Sequence, residues 1–525
     1  MRLEINLVSK PKYTLLNLRF LFQYKVLFIL GTLWFIIASL FSYFQFIGFG
    51  DLYDANGAAQ QMSWLIHGYV PWHYCLTCFT WGHLSLLMYL LAPFYLLSPS
   101  VLTLNIIQNF LIAFTSVPLY FLARRHLTGL FPIGITLAYL CNPMIWATVY
   151  EGFHVEALVI PFSFMVIYFL DTRNGKMVLL SSILLLFDVE YGAVILALIL
   201  VYNFIRTKPS EWKLWSPKVS VQRWQFFPVF TIVGIFFSAI YYLISSNILK
   251  STGFDPTSLI VSGRFNLLPI TSVFQLPFAL VEYPSLALAS LQTNLVVKIL
   301  DIVFLYGTTF FSSFLSPASL ILSPWLLVSL FSTYIYYSSP YLFYAGFIAF
   351  AVFPTSVFGI KRLVKWFPRF RTIILFALIF MTLIGGMETL LIAIPPNPNL
   401  TSTTGWNQVI SLIPNNATVV ATQDVGSHLT TDINAYLVDF VVSHQDQVNF
   451  FKISNQTTFT YILFDNNSLN PYDISTAHFL YHFVLSTHHY FLYASSDNLY
   501  LYKYVNTQTY ISSESVCSPE IFCVY

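Results

Sequence analysis

Long apolar runs separated by short polar segments dominate the first three quarters of the chain. A helix needs roughly 20 apolar residues to cross a bilayer. Runs at about 24–47, 102–122, 129–149, 155–170, 176–188, 190–206, 226–247, 294–313, 318–336, 341–360 and 372–394 predict eleven spans. The runs 176–188 and 190–206 are short and flank Asp188 and Glu190. They are read as two spans, with one broken helix as the alternative, because acids in mid-bilayer are costly and call for a surface turn or a wet cavity. The run 84–97 is laid on the outer surface as an interfacial helix, since a span there would carry Arg124, Arg125 and His126 outside.

With that layout most of the 24 Lys and Arg residues fall on one side, in five clusters, the last holding Lys361, Arg362, Lys365, Arg369 and Arg371. The excess of basic residues marks the cytoplasmic side. The amino terminus is therefore expected inside, and the tail after an odd number of spans outside. At Pro395 the pattern changes. Residues 395–525 are rich in Asn, Ser, Thr and Tyr, with short β-like runs at Ala417–Ala421, Tyr461–Phe464 and Tyr490–Tyr493 and a helical stretch at Asp473–Leu485. The expected architecture is an α-helical polytopic membrane domain over 1–394, with a first outer loop at 48–101, followed by a small extracytoplasmic α/β domain over 395–525.

Composition agrees with the pattern. The 525 residues are 57% hydrophobic, 18% aromatic and 9% charged, where soluble domains carry roughly 25% charged residues. A net charge of +2 without a basic face gives no case for nucleic-acid binding. All four N-x-S/T sequons, at Asn399, Asn416, Asn455 and Asn466, lie in the tail and are expected glycosylation sites. Cys75 and Cys78 in the first outer loop, and Cys517 and Cys523 in the tail, read as two disulfides in an oxidising space, with a four-Cys zinc site as the minor alternative. Cys141 sits inside a span as a small apolar filler.

The acids of the membrane half collect on the outer side: Asp51 and Asp54, Glu151 and Glu156 around His154, Asp188 and Glu190, with His83 nearby. A group-transfer enzyme working there has no cytoplasmic nucleotide-activated donor and needs a lipid-phosphate carrier. Two donors at His154 and Glu156 suit a divalent metal if the backbone is extended, and equally suit a sugar or phosphate. No cofactor beyond that metal is suggested. Arg264 is one of few outer cations and can offer a planar fork to a leaving phosphate.

These residues also carry a resemblance. Asp54-x-x-Gly57-x-x-Gln60 followed by His67-Gly68, then His83, Leu91-Ala-Pro-Phe-Tyr-Leu-Leu-Ser-Pro99, Gln108, Phe153-His154-x-Glu156-Ala157-Leu158, Glu190, the turn Tyr337–Phe343 and Ile413-Pro-x-x-Ala-x-Val419 together resemble a prokaryotic membrane-protein family of unknown function. The chain departs from that pattern at Ala59, where the family has an aspartate, and at Val189, where a basic residue is frequent. The family is similar to the GT-C glycosyltransferases, which implies a multi-span core, an essential acid in the first outer loop and a polyprenyl-phosphate sugar donor. By that resemblance Asp54 takes the place of the acid.

The expected function is transfer of a sugar from a polyprenyl-phosphate carrier in the membrane to an acceptor at the outer face of the cell envelope. Asp54 is the expected general base, and Asp51, His83, Glu151, His154, Glu156, Glu190 and Arg264 the substrate-binding set. The alternatives are a polytopic transporter or lipid flippase, and a non-catalytic membrane protein of the cell surface.

Overall fold

A computed structural model describes residues 13–49, 53–68, 83–206, 228–251, 261, 263–319, 324–338, 344, 348–392, 400–414, 416–426, 428–429, 435–438, 458–466 and 471–505. Asp51, Asp255, the four cysteines expected to form disulfides, Asn399 and Asn455 lie outside them, as does the side chain of Asp54.

Every apolar run becomes helical for much of its length, but fewer helices than eleven have a span's length. Among the described residues six are long and apolar enough: Lys25–Ile47, Val101–His126, Phe131–Tyr150, Val155–Thr172, Thr231–Lys250 and Pro368–Thr389. A bent pair, Pro284–Gln292 and Leu295–Gly307 at 75°, makes a seventh if it is one broken span. Interruption shortens several of the others. Asn142 also divides the 129–149 run, by capping Pro143–Tyr150 with its side chain and donating to the Phe304 and Leu305 carbonyls and the Thr308 hydroxyl, although Phe131–Tyr150 as a whole keeps a span's length. Gly175–Asp188 and Gly192–Arg206 are two separate helices of 14 and 15 residues. The turn between them is tight: a Cβ on Gly192 would stand 2.2 Å from the Leu185 carbonyl oxygen.

Burial sorts the spans into an inner and an outer set. Val101–His126, Phe131–Tyr150 and Val155–Thr172 bury 61%, 72% and 72% of their apolar windows, against 22% for Lys25–Ile47, Thr231–Lys250 and Pro368–Thr389. The first set forms the helical core, and the second faces outward with side chains such as Phe28, Phe236 and Phe376. Leu87–Tyr95 is too short to span, at nine residues. It packs Leu87, Met88, Leu91 and Tyr95 inward and leaves Tyr89, Leu90 and Phe94 exposed. Lys298, in Leu295–Gly307, is buried and donates to the Ser290 carbonyl at 2.7 Å.

The tail holds a five-stranded sheet in the order β2-β1-β3-β5-β4, with β1 Val419–Thr422, β2 Ala435–Val438, β3 Tyr461–Asp465, β4 Tyr490–Ser496 and β5 Leu499–Tyr504. β1 pairs in parallel with β2 and β3, and β5 pairs antiparallel with β3 and β4. β1 and β3 are buried on both faces. Val419, Ala421, Tyr461 and Leu463 pack towards Leu400–Ser411 on one side, and Val420, Ile462 and Phe464 pack against Pro471–Thr487 on the other. Asn416 and Asn466 are exposed at strand ends, where a glycan can be accommodated.

The sheet rests on the start of the membrane half. Gln60, in the helix Tyr53–Ile66, donates to the Ala435 carbonyl of edge strand β2. His428 stacks on Phe49 and Phe46 with centroids 4.0 and 4.6 Å apart. The helix that carries Asp54 thus lies between the helical core and the sheet.

Candidate functional site

The site is built around the turn after Pro143–Tyr150. Gly152 has a φ of +80°, and a Cβ there would stand 3.0 Å from the Ala55 Cβ and 3.3 Å from the Asn105 side-chain oxygen. Glycine is needed both for the left-handed backbone and for this approach. The neighbour is one residue past Asp54, so the Glu151–His154 turn abuts the first turn of the Asp54 helix. Gln108 holds the turn in place. Its amide nitrogen donates to the Thr148 and Gly152 carbonyls at 2.8 Å each, and its oxygen accepts from the His154 backbone N–H at 2.8 Å. The His154 ring Nδ1 faces the Gly152 carbonyl at 3.2 Å, and its Nε2 lies 3.9 Å from Glu151. Both side chains are buried.

Beyond His154 the chain makes a short 3-10 turn, Val155–Leu158, that carries Glu156. Here His83 meets two glutamates. Its Nε2 lies 3.1 Å from Glu156 and its Nδ1 2.8 Å from Glu190. Glu190 uses its second oxygen to accept the Leu84 backbone N–H at 3.2 Å. Each ring nitrogen faces a carboxylate, so both are donors and the ring is an imidazolium. Burial by itself would lower the pKa of His83. The charges of Glu190 and Glu156 and their hydrogen bonds outweigh it and hold the pKa well above the usual histidine value. Asp188 is buried beside this group, and neither of its oxygens has a hydrogen-bond partner among the described residues. It lies within electrostatic reach of Glu156, His83 and Glu190. The Tyr191 ring stands edge-on to His83 at 5.5 Å.

Arg264 belongs to a second cluster. Its guanidinium sits 4.9 Å above the Tyr334 ring and 5.1 Å from the Tyr337 ring, and it donates to the Tyr337 hydroxyl. Its carbonyl accepts from the Thr333 N–H at 2.8 Å and the Ser332 hydroxyl at 2.7 Å. No carboxylate among the described residues pairs with it. Tyr344 joins this cluster, its ring 5.1 Å from that of Tyr337 and stacked on Trp325 at 6.2 Å.

Of the expected residues, the structure brings His83, Glu156 and Glu190 into direct contact, sets His154 and Glu151 in the adjoining turn, and places Arg264 in the second, aromatic cluster. Both oxygens of Glu190 are engaged by the chain itself, one by the His83 ring and the other by the Leu84 N–H. Gln108, Asp188, Tyr191 and Tyr344 belong to the arrangement although the sequence reading gave them no role. Gln108 stood within the family pattern, and that was the available signal. Among the described residues no group of three or more His, Cys, Asp or Glu is arranged to hold a metal ion, and His154 and Glu156 form no such group. Cys141 is a free thiol, and the expected disulfides and two of the four sequons fall outside the described residues.

The fold has solved counterparts. ArnT from Cupriavidus metallidurans bound to undecaprenyl phosphate superposes with a TM-score of 0.53 at 9% identity, over 92% of this chain and 99% of that one. The apo form of the same protein gives 0.51 at 10% identity, over 90% and 97%. The archaeal oligosaccharyltransferase AglB from Archaeoglobus fulgidus, in complex with an inhibitory peptide and a dolichol-phosphate, gives 0.43 at 12% identity, over 92% and 74%. At such identities the likeness to ArnT is one of fold. A search of curated protein sequences finds no match. The model for the predicted membrane proteins of DUF2079 matches residues 82–501, and the chain belongs to that family.

Proposed function

We propose that the chain is a GT-C-type glycosyltransferase that moves a sugar from a polyprenyl-phosphate carrier to an acceptor hydroxyl at the outer membrane face. The supporting observation is that the Asp54 helix abuts the Glu151–His154 turn beside the His83–Glu156–Glu190 group, while the Arg264 cation sits in an aromatic cluster with Tyr334 and Tyr337. ArnT was solved with undecaprenyl phosphate, and a lipid phosphate suits a half-buried guanidinium that has no carboxylate partner among the described residues.

In this reading Asp54 takes the proton from the acceptor hydroxyl as its oxygen attacks C1 of the sugar. The bond from C1 to the phosphate oxygen breaks, and the electron pair leaves with the polyprenyl phosphate. That leaving group needs a cation rather than a proton, and Arg264 supplies it. Positive charge grows on the sugar ring in the transition state, and the surplus of carboxylates around His83 stabilises it. The imidazolium of His83 has both N–H groups committed, so its part is to hold Glu156 and Glu190 in place.

Asp54→Asn is expected to express and fold, and to lose about 10²–10⁴-fold in sugar transfer from a labelled polyprenyl-phosphate sugar in detergent or nanodiscs. Unchanged transfer by that variant removes Asp54 from the mechanism. Flux of a labelled solute into proteoliposomes, unaffected by Asp54→Asn, would instead favour a transporter.

A further inference from the structure

The short helix Val273–Glu282 has two unlike faces. Leu276 and Ala279 are buried in the same apolar cluster as Phe265, Val328 and Tyr337. On the other face Phe274, Phe278 and Val281, spaced as neighbours along a helix, are 53%, 74% and 83% exposed. Three large apolar side chains in a row facing water would be an unusual surface, and such a patch marks a contact.

The surroundings identify what covers it. The Phe274 ring meets Tyr242 edge-on at 6.0 Å. Tyr242 belongs to the span Thr231–Lys250, whose outward face carries Phe236, Phe237, Leu243 and Ile244. On the other flank Leu288 of Pro284–Gln292 and Val296 and Ile299 of Leu295–Gly307 are exposed as well. The apolar face of the short helix therefore continues the lipid-facing surface of the flanking span. Polar groups mark its ends: the Ser272 and Gln275 capping box at the start, and exposed Glu282, which accepts from the Tyr283 hydroxyl at 2.9 Å, at the finish.

We infer that Val273–Glu282 is seated in the bilayer, lying along its surface with Phe274, Phe278 and Val281 among the acyl chains and Glu282 at the aqueous boundary. Because its inner face packs on the cluster that contains Tyr337, the seat also sets the depth of Arg264 relative to the lipid. This inference does not depend on glycosyl transfer.

The test uses the full chain in phosphatidylcholine nanodiscs, with p-benzoylphenylalanine placed singly at positions 278, 281, 296 and 416. Irradiation at 278 and 281 is expected to add the mass of one phospholipid, as at 296 on the lipid-facing surface, and to add none at 416 in the exposed tail. An adduct at 296 with none at 278 and 281, or adducts to protein at those two positions, overturns the inference. A second measurement guards against a cross-linking artefact. The double variant Phe278→Asp, Val281→Asp is expected to speed amide hydrogen exchange across 273–282 by about tenfold or more in nanodiscs, since two buried apolar anchors are lost. Exchange unchanged from the parent overturns it too.

Discussion

His83 shows how one side chain can depend on partners far along the chain. It lies 107 positions from Glu190, and the two meet at 2.8 Å. Its raised pKa fixes the sign of a pH effect. A base whose folded pKa lies above its unfolded value of about 6.5 contributes stability fully below that value, and loses it as pH rises through the folded pKa. Thermal unfolding in nanodiscs is therefore expected to occur at lower temperature as pH is raised from 6.5 into the alkaline range. Glu190→Gln keeps an acceptor for the Leu84 N–H but removes the charge. It is expected to flatten that dependence and to cost about 1.5–3 kcal/mol at pH 6.5, the worth of a hydrogen bond between charged groups. A slope as steep in the variant as in the parent would show that His83 is not the titrating group. Gly152 makes a second prediction at this scale. Gly152→Ala forces a Cβ to 3.0 Å from Ala55 at a φ of +80°, and is expected to lower stability by about 1–3 kcal/mol. Because the same contact places the Asp54 helix, sugar transfer should fall beyond what the loss of folded protein explains, as measured per folded molecule.

Between helices, the end of the core remote from the His83 group is held by one acid. Asp171 accepts from Arg125 Nε at 2.7 Å and faces His126 Nε2 at 3.0 Å, while Lys361 reaches His126 Nδ1 at 3.3 Å. Three helices, Ser116–His126, Val159–Thr172 and Ala349–Trp366, are joined there. The Asp171 side chain is 4% exposed, so removing it strands partly buried positive charge. Asp171→Ala is expected to destabilise the core by about 1–3 kcal/mol, read from the thermal midpoint in nanodiscs. Arg125→Ala should cost less, because His126 still faces the acid; equal losses would mean that the arginine carries the whole contact. The elements themselves were largely legible in the sequence. Apolar runs located the helices, and short β-like runs located β1, β3 and β4, because both signals are local. The break between Gly175–Asp188 and Gly192–Arg206 was legible from its two acids, but the one at Asn142 was not. Asn142 breaks its helix by bonding to Phe304, Leu305 and Thr308, more than 160 positions away in the chain, and no local pattern announces such a partner. The site was legible to a similar degree: its acids could be assigned to one end of the helices, whereas their pairing with His83, and the framing by Gln108 and Tyr344, needed tertiary contacts.

At the scale of the whole molecule, what matters is how the sheet sits on the helical core. Among the described residues the joint is largely aromatic. His428 stacks on Phe46 and Phe49, its Nε2 faces the Phe46 carbonyl at 3.2 Å, and Phe49 meets Trp406 edge-on at 5.1 Å. Burial pushes the His428 pKa below its ordinary value, and the bond to the Phe46 carbonyl offsets this only in part. The sign is opposite to that of His83. Once the sheet lifts away, His428 regains water and the usual affinity for a proton, so below pH of about 6.5 the undocked form binds more protons than the docked one. Acid therefore loosens the joint. Amide exchange of β2, whose Ala435 carbonyl accepts from Gln60, should quicken between pH 7.5 and 5.0 after correction for intrinsic rates, while β3 at the sheet centre should hold its protection. His428→Phe keeps a flat ring between Phe46 and Phe49 but cannot take a proton, and its β2 exchange should be level across that range. If β2 in the variant still loosens in acid, the pH response lies in another contact, and His428 serves the joint through stacking alone.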